Sequence, residues 1–191
     1  MRGARAEARA FARLAIQADP DDPWSHFAAG YVHTMSRDFD QAVAELTEAT
    51  NLNPSFAFAH LFLGLTYGYG GMPEEGLNHL VLAERLSPRD YTKTANLSAS
   101  GLCHFIAGRF VEAAECERRA VELQPDFVSA WRTYAAAAGM AGLREEAAHA
   151  LAQAKRLQPT LTIEWVDKFF QIVHARDRAV YIQGLRNAGL E

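Results

Sequence analysis

The sequence predicts an all-α fold made of helix pairs stacked side by side, and three observations predict it. Proline recurs at a fixed spacing, small residues recur in phase with it, and the apolar residues in between have helical periodicity. Pro20, Pro54, Pro88, Pro125 and Pro159 close short stretches such as Asn51-Leu52-Asn53-Pro54 and Arg156-Leu157-Gln158-Pro159, at gaps of 34, 34, 37 and 34 residues. Self-similarity at such a period marks a repeat architecture. Twelve residues before the prolines stand Ala8, Ala42, Gly76, Ala113 and Ala147, and five before them stand Ala15, Ala49, Ala83, Ala120 and Ala154. A third small position, 24 residues before the last four prolines, holds Gly30, Gly64, Gly101 and Ala135. Helices whose axes lie ~8–10 Å apart leave room only for Gly or Ala at the crossing.

Each element follows in order. Residues 1–20 read as the second helix of a truncated first unit, and residues 21–54, 55–88, 89–125 and 126–159 as four full pairs. Phe39, Ala42, Val43, Leu46 and Ala49 share one helix face, as do Phe110, Ala113, Ala114 and Ala120. Proline stops each second helix. Asp38, Gly71, Gly108 and Gly142 mark the turn inside each pair. The extra Arg89-Asp90-Tyr91 lengthens one connection. Beyond Pro159 the pattern changes. Ile163, Trp165, Val166, Phe169, Phe170, Ile172 and Val173 predict one apolar helix, and a second spans Arg178 to Asn187, ended by Gly189. An array needs a cap over its last open face, and residues 160–191 suit that role, with the apolar side packed on the fourth pair. The same residues also suit a docking element. At the other end Ala8, Ala12 and Ala15 lack an in-pair partner. The expectation is therefore a fragment or C-terminal part of a longer protein, whose exposed first face is available for self-association.

The period and the small-residue phase resemble the tetratricopeptide repeat, whose pattern is Trp-x2-Leu-Gly-x2-Tyr followed by Ala, an aromatic, Ala and Pro. Leu63-Gly64-x2-Tyr67 matches its first half, and Trp131 takes the Trp position of the last pair, with Tyr134 and Ala135 following. His26 and His60 stand where the pattern has Trp, and His33 and His104 where it has Tyr. The resemblance covers about residues 4–159. It implies a right-handed αα superhelix, a tetratricopeptide solenoid with C-terminal capping helices, whose first helices line a concave groove.

Composition narrows the function. Of 191 residues 49% are hydrophobic and 22% charged, as in a folded chain that is not a membrane span. The net charge of −4 and the absence of a dense Lys/Arg block argue against nucleic acid, which needs clustered cations. Lys occurs only at Lys93, Lys155 and Lys168; with abundant Ala this suggests a GC-rich bacterial source. No apolar run approaches the ~20 residues of a membrane helix, and residues 1–18 carry no secretory pattern. Cys103 and Cys116 make neither a CxxC pair nor a disulfide framework, which suits a reduced, cytoplasmic setting.

Catalytic motifs are missing. Gly68-Tyr69-Gly70-Gly71 has no following Gly-Lys-Ser/Thr and no preceding strand, so it is not a phosphate loop. No Gly-x-Ser-x-Gly elbow occurs, and Cys103 and His104, as neighbours on a helix, face different sides. His26, His33, His60 and His104 are the best metal candidates, but metal needs three or four convergent ligands, and packing between helices is the simpler account. Glu74-Glu75 and Glu145-Glu146 open second helices, where the positive helix end favours them. Asn96-Leu97-Ser98 falls in a predicted helix and is a chance sequon. No catalytic residue, metal or cofactor is expected, and the chain is not read as an enzyme.

The expected function is binding of a protein or peptide. By the family's register, Trp24, Phe27, Tyr31 and Met35 face the groove from the first full pair. Phe58, Leu61, Phe62, Leu65 and Tyr69 do so from the second, Ser98, Leu102 and Phe105 from the third, and Ser129, Arg132 and Met140 from the fourth. The predicted partner site is Trp24, Phe27, Tyr31, Phe58, Phe62, Leu65, Tyr69, Leu102, Phe105 and Arg132, an aromatic-rich strip of the kind that carries binding hot spots. The same rings also suit a core, or a surface covered by the chain's own tail. Family members that hold acidic chaperone C-termini use Lys, Asn and Arg where this chain has Phe27, Tyr31, Phe62, Ala95 and Ala99, so the resemblance implies no carboxylate clamp. An apolar peptide or amphipathic helix suits the strip better. The tail, Arg176-Asp177-Arg178-Ala179-Val180-Tyr181-Ile182-Gln183-Gly184-Leu185-Arg186-Asn187-Ala188-Gly189-Leu190, resembles the end of bacterial regulators in which such an array follows a class III cyclase or winged-helix domain. That implies a regulatory region of a signalling protein. The alternative is a dimerisation or intramolecular regulatory element for a domain outside these residues.

Overall fold

The structure, a computed structural model, describes residues 2–87 and 92–191, with side chains from residue 6 onward; the insertion Arg89-Asp90-Tyr91 lies outside the described residues. Among the described residues every regular element is a helix. A first helix α1 (Arg2–Ala18) is followed by four antiparallel hairpins: α2 (Pro23–Met35) with α3 (Phe39–Leu52), α4 (Ala57–Tyr69) with α5 (Pro73–Leu86), α6 (Lys93–Ile106) with α7 (Phe110–Leu123), and α8 (Val128–Ala141) with α9 (Arg144–Leu157). The tail adds α10 (Ile163–Phe169) and α11 (Ala175–Asn187). Each hairpin packs on the next, and α4, α6 and α8 also touch side by side, which makes an αα superhelix with first helices inside and second helices outside.

Local chemistry explains the hairpins. Asp22 caps α2 by accepting from the backbone N–H groups of Trp24 and Ser25, and Pro23 fills the first helical position. Pro73 opens α5 in the same way, with Glu74 and Glu75 at its positive end. The helices of a hairpin cross where the small residues predict. A Cβ added at Gly30 would stand 2.5 Å from Leu46 Cγ, and one at Gly64 2.5 Å from Leu80 Cγ. In the third hairpin the residue facing Gly101 is Glu117 instead of leucine.

A second recurring device explains the histidines. The indole of Trp131 donates to the Pro125 carbonyl at 2.8 Å. His26 Nε2 donates to the Pro20 carbonyl at 2.9 Å, and His60 Nε2 to the Pro54 carbonyl at 3.2 Å. Imidazole thus does what indole does at this phase: a ring N–H pins the loop that closes the preceding unit. The Trp pattern tolerates His because the donor is kept.

Two expectations are corrected. The left-handed residue of the α2–α3 turn is Arg37, at φ 60°, not Asp38; its counterparts Gly71, Gly108 and Gly142 have φ 79°, 77° and 77°. A non-glycine residue there costs of order 1 kcal/mol. The first of the two tail helices is also shorter than expected. α10 ends at Phe169, and Phe170 is extended at φ −73°, ψ 142°. Phe170 and Ile172 are buried while Gln171 and Val173 are half-buried, the alternation of an extended segment with one face inward. The α11 helix then lies mainly on α8 and only slightly on α9. A Cβ on Gly184 would stand 3.0 Å from Ala136 Cα, which is how the two backbones come this close. The largest core cluster runs from α6 through α9 into this tail, with Tyr181, Phe105, Leu161 and Ile172 fully buried in it.

Candidate partner-binding surface

The inner wall carries a ring network at the end nearest α1. Trp24 and Phe27 from α2 meet Phe56 just before α4, with ring centroids 4.5 Å and 5.5 Å from it. Phe27 lies 5.5 Å from Phe58 and 5.3 Å from Phe62, and Tyr31 lies 5.3 Å from Phe62. These edge and tilted geometries are the favoured ones for rings. Trp24 is 59% exposed and Tyr31 43%, whereas Phe27, Phe58 and Phe62 are half-buried. Phe56 was not expected here. Its signal was available, since Phe127 stands at the same phase, 32 residues before Pro159.

Next to the strip a cavity of about 240 Å³ opens between α4, α6 and α8. Phe62, Leu65, Tyr69 and Leu102 form its walls, Ser98 and Thr133 add hydroxyls, and Phe170 of the tail closes one side. The remaining predicted residues are not on open surface. Leu102 is 2% exposed, Phe105 1% and Arg132 8%. The Phe105 ring packs 5.3 Å from Tyr181 of α11. Arg132 donates to Gln158 at 2.6 Å and Ser129 at 2.9 Å, and its guanidinium lies over Trp165 at 5.1 Å and Phe170 at 5.6 Å. The tail has taken over this half of the wall.

The tail is tied down at the turn ends of the first two full hairpins. Arg37 Nε donates to the Phe170 carbonyl at 2.8 Å, and its Nη2 donates to the carbonyls of Phe170 and of Asp167, the latter at 2.9 Å. The Val173 N–H donates to the Tyr69 carbonyl at 2.9 Å. His174 Nε2 donates to the Gly70 carbonyl at 2.9 Å.

The titratable groups are dispersed. His26 contacts Glu45 at 2.8 Å, His33 Asp38 at 3.0 Å, His60 His79 at 3.2 Å, and Arg109 donates to His104 at 3.0 Å. Among the described residues no group of three or more His, Cys, Asp or Glu side chains is placed to hold a metal ion. Burial depresses the His60 and His79 imidazoles. Burial also opposes charge on His26, but its hydrogen bond and attraction to Glu45 win and raise it. Burial pushes the Cys103 thiol up to about 12 and that of Cys116 to about 11, so neither is a ready nucleophile. Burial also holds the Glu117 carboxyl well above its usual range; Ser98 and Arg132 pull it down less strongly. Both Glu117 oxygens are buried and neither has a hydrogen bond of good geometry, although the Ser98 hydroxyl is close enough to act on the carboxyl. No described helix is long and apolar enough to cross a membrane.

Fold and site together define a class: an αα superhelix of stacked helical hairpins whose inner wall is ring-lined at one end and self-covered at the other. Known proteins share that fold. The chain is similar to the tetratricopeptide repeat-containing protein trd-1 of Caenorhabditis elegans, at 28% identity over 131 residues, covering 69% of this chain and 16% of that protein. It thus spans about a sixth of that relative's length. Among solved structures it superposes on PilW, a type IV pilus biogenesis factor, with TM-score 0.73 and 20% identity over 95% of this chain and 84% of that one. It also superposes on TTC0263, a thermophilic repeat protein of Thermus thermophilus, with TM-score 0.72 and 19% identity over 96% and 92%. YrrB, described as having an unusual peptide-binding site, aligns with TM-score 0.57 and 18% identity over 93% and 90%. No family model matches the chain.

Proposed function

We propose that the chain is a protein-interaction module that holds an apolar peptide or amphipathic helix against Trp24, Phe27, Tyr31, Phe58, Phe62 and Leu65. One observation carries this: six rings from α2 and from the stretch Phe56–Phe62 form a connected patch on which Trp24 and Tyr31 are exposed. Exposed aromatic patches mark partner sites, and clustered rings supply the energy of recognition. The peptide-binding site of YrrB, on the same fold, supports the reading. The tail's resemblance to bacterial regulators makes cytoplasmic signalling the setting that suits such a module. Peptide display on the intact chain tests the proposal: selected peptides should be rich in aromatic and large aliphatic residues and should lose binding to Phe27→Ser and Phe62→Ser. Unchanged binding to both variants removes the strip from the account.

A second reading, self-association, rests on α1. Phe11 is 70% exposed and Leu14 53%, beside an open cleft of about 510 Å³ between α1, α2 and α3. Phe11 stands nine residues before Pro20, the phase at which Glu45 and His79 meet the first helix of their own hairpins. Sedimentation over a range of concentrations tests it, with Phe11→Ser expected to shift any dimer to monomer.

A further inference from the structure

We propose that the covered half of the inner wall is a second binding channel, for an extended apolar segment, and that Phe170–His174 fill it in cis as a stand-in for a partner's segment, with Arg37 as the latch. The inference rests on the peptide-binding reading above and adds a site, a ligand conformation and a release point.

The occupant shows the chemistry of the channel. Phe170 to Val173 join α10 to α11 without helix, between the extended residues Phe170 and His174. Their backbone is held as a bound peptide's would be, through the Val173 N–H on the Tyr69 carbonyl at 2.9 Å. Phe170 and Ile172 point inward and are 3% and 0% exposed. The Phe170 ring sits 5.7 Å from Tyr69 and beneath the Arg132 guanidinium, and it forms one wall of the 240 Å³ cavity. The same cavity is lined by Phe58 and Phe62 of the open strip, so the strip and the tail segment border one space. The partner segment that fits is therefore extended, with an aromatic residue followed two positions later by a β-branched one.

The latch is read from Arg37. Gly71, Gly108 and Gly142 occupy the equivalent turns at φ 77–79°, where glycine alone is at ease. Arg37 holds φ 60° in their place. Strain kept at one turn of four calls for a compensating contact. The compensation is visible: the guanidinium reaches residues 130 and 133 positions away and binds the carbonyls that end α10. Cations at a helix C-terminus are favoured there. At the next turn a Cβ on Gly71 would stand 2.6 Å from His174 Cδ2, so glycine there gives the segment its passage.

Arg37→Gly in the intact chain tests this, because glycine keeps the turn and removes the latch. Two readouts are taken: hydrogen exchange at the Val173 amide, and fluorescence anisotropy of a labelled peptide copying residues 167–174. The expected result is Val173 exchange faster by about tenfold, and probe binding tighter by about tenfold as the competent state becomes more populated, with no fall in melting temperature. Equal Val173 protection in the variant overturns the proposal, and so does faster exchange with no gain in probe affinity. Phe27 and Phe62 lie outside the latch contacts, so failure of the strip variants to affect displayed peptides would count against the parent reading alone.

Discussion

Glu117 stands at the phase where Leu46, Leu80 and Leu151 fill the other hairpins, and it is fully buried. A buried carboxyl group without a well-formed hydrogen bond in that position is unfavourable by about 1–3 kcal/mol. Glu117→Leu is therefore expected to stabilise the chain by about that amount in urea unfolding at neutral pH. The pH dependence has a definite sign. Because the folded carboxyl titrates above its ordinary value of 4.5, the folded state holds the proton more tightly than the unfolded one. Its contribution is complete below pH 4.5 and is lost as pH rises through the folded value; Glu117→Leu should flatten that slope, and an unchanged slope would mean that Glu117 is ionised in the fold. His60 and His79 behave in the opposite sense. Their depressed values make acid the harmful direction, with stability complete above about pH 6.5 and falling below it. Placing two cations with nitrogens 3.2 Å apart would add repulsion. His79→Phe should remove much of that acid-side loss in thermal melts between pH 7 and 5. The sequence showed His60 in phase but not what it touches, because a period says which residues share a position and nothing about their partners. Glu117 was equally in phase, and its place among leucines was the signal that passed unused.

At the scale of elements, the turns carry the sharpest comparison. A methyl group added at Gly108 meets nothing within 4 Å, whereas one at Gly71 meets His174. Both positions have positive φ. Gly108→Ala should therefore cost about 1 kcal/mol from backbone strain alone, and Gly71→Ala clearly more, read as the difference between their chemical-denaturation midpoints. Equal losses would mean that the tail does not press on the second turn. Helix pairs were legible because each uses a 3.6-residue pattern and a proline stop, and the ring positions of α2 and α4 followed from the same register. The tail was not. Ile163 to Val173 is apolar enough to suggest one helix, yet Ile172 and Val173 are β-branched and gain more from an extended path along α4. That preference is decided by Tyr69 and Arg37, more than 100 positions away, and leaves no periodic trace. For the same reason Leu102, Phe105 and Arg132 read as groove residues although the tail encloses Phe105 and Arg132.

For the whole molecule, stability is unevenly spread. The cluster from α6 to α11 is continuous, whereas α1 contributes only Ala12 as a buried residue among its described side chains. In a repeat array each unit leans on its neighbours, so local opening begins at the end with least buried area. Amide exchange should be fastest in α1 and slowest in α8. The C-terminal half of the wall is thus the firmer one, and the rings sit at the lighter end, on α2 and α4. The central claim, that partners dock on those rings, is tested most directly by an NMR titration of the intact chain with a display-selected peptide. The account predicts that shift changes gather on Trp24, Phe27, Tyr31, Phe58, Phe62 and Leu65, and that Phe62→Ser weakens binding by about 2 kcal/mol. Shift changes confined to the outer helices α3, α5 and α7, with the rings unmoved, would contradict it.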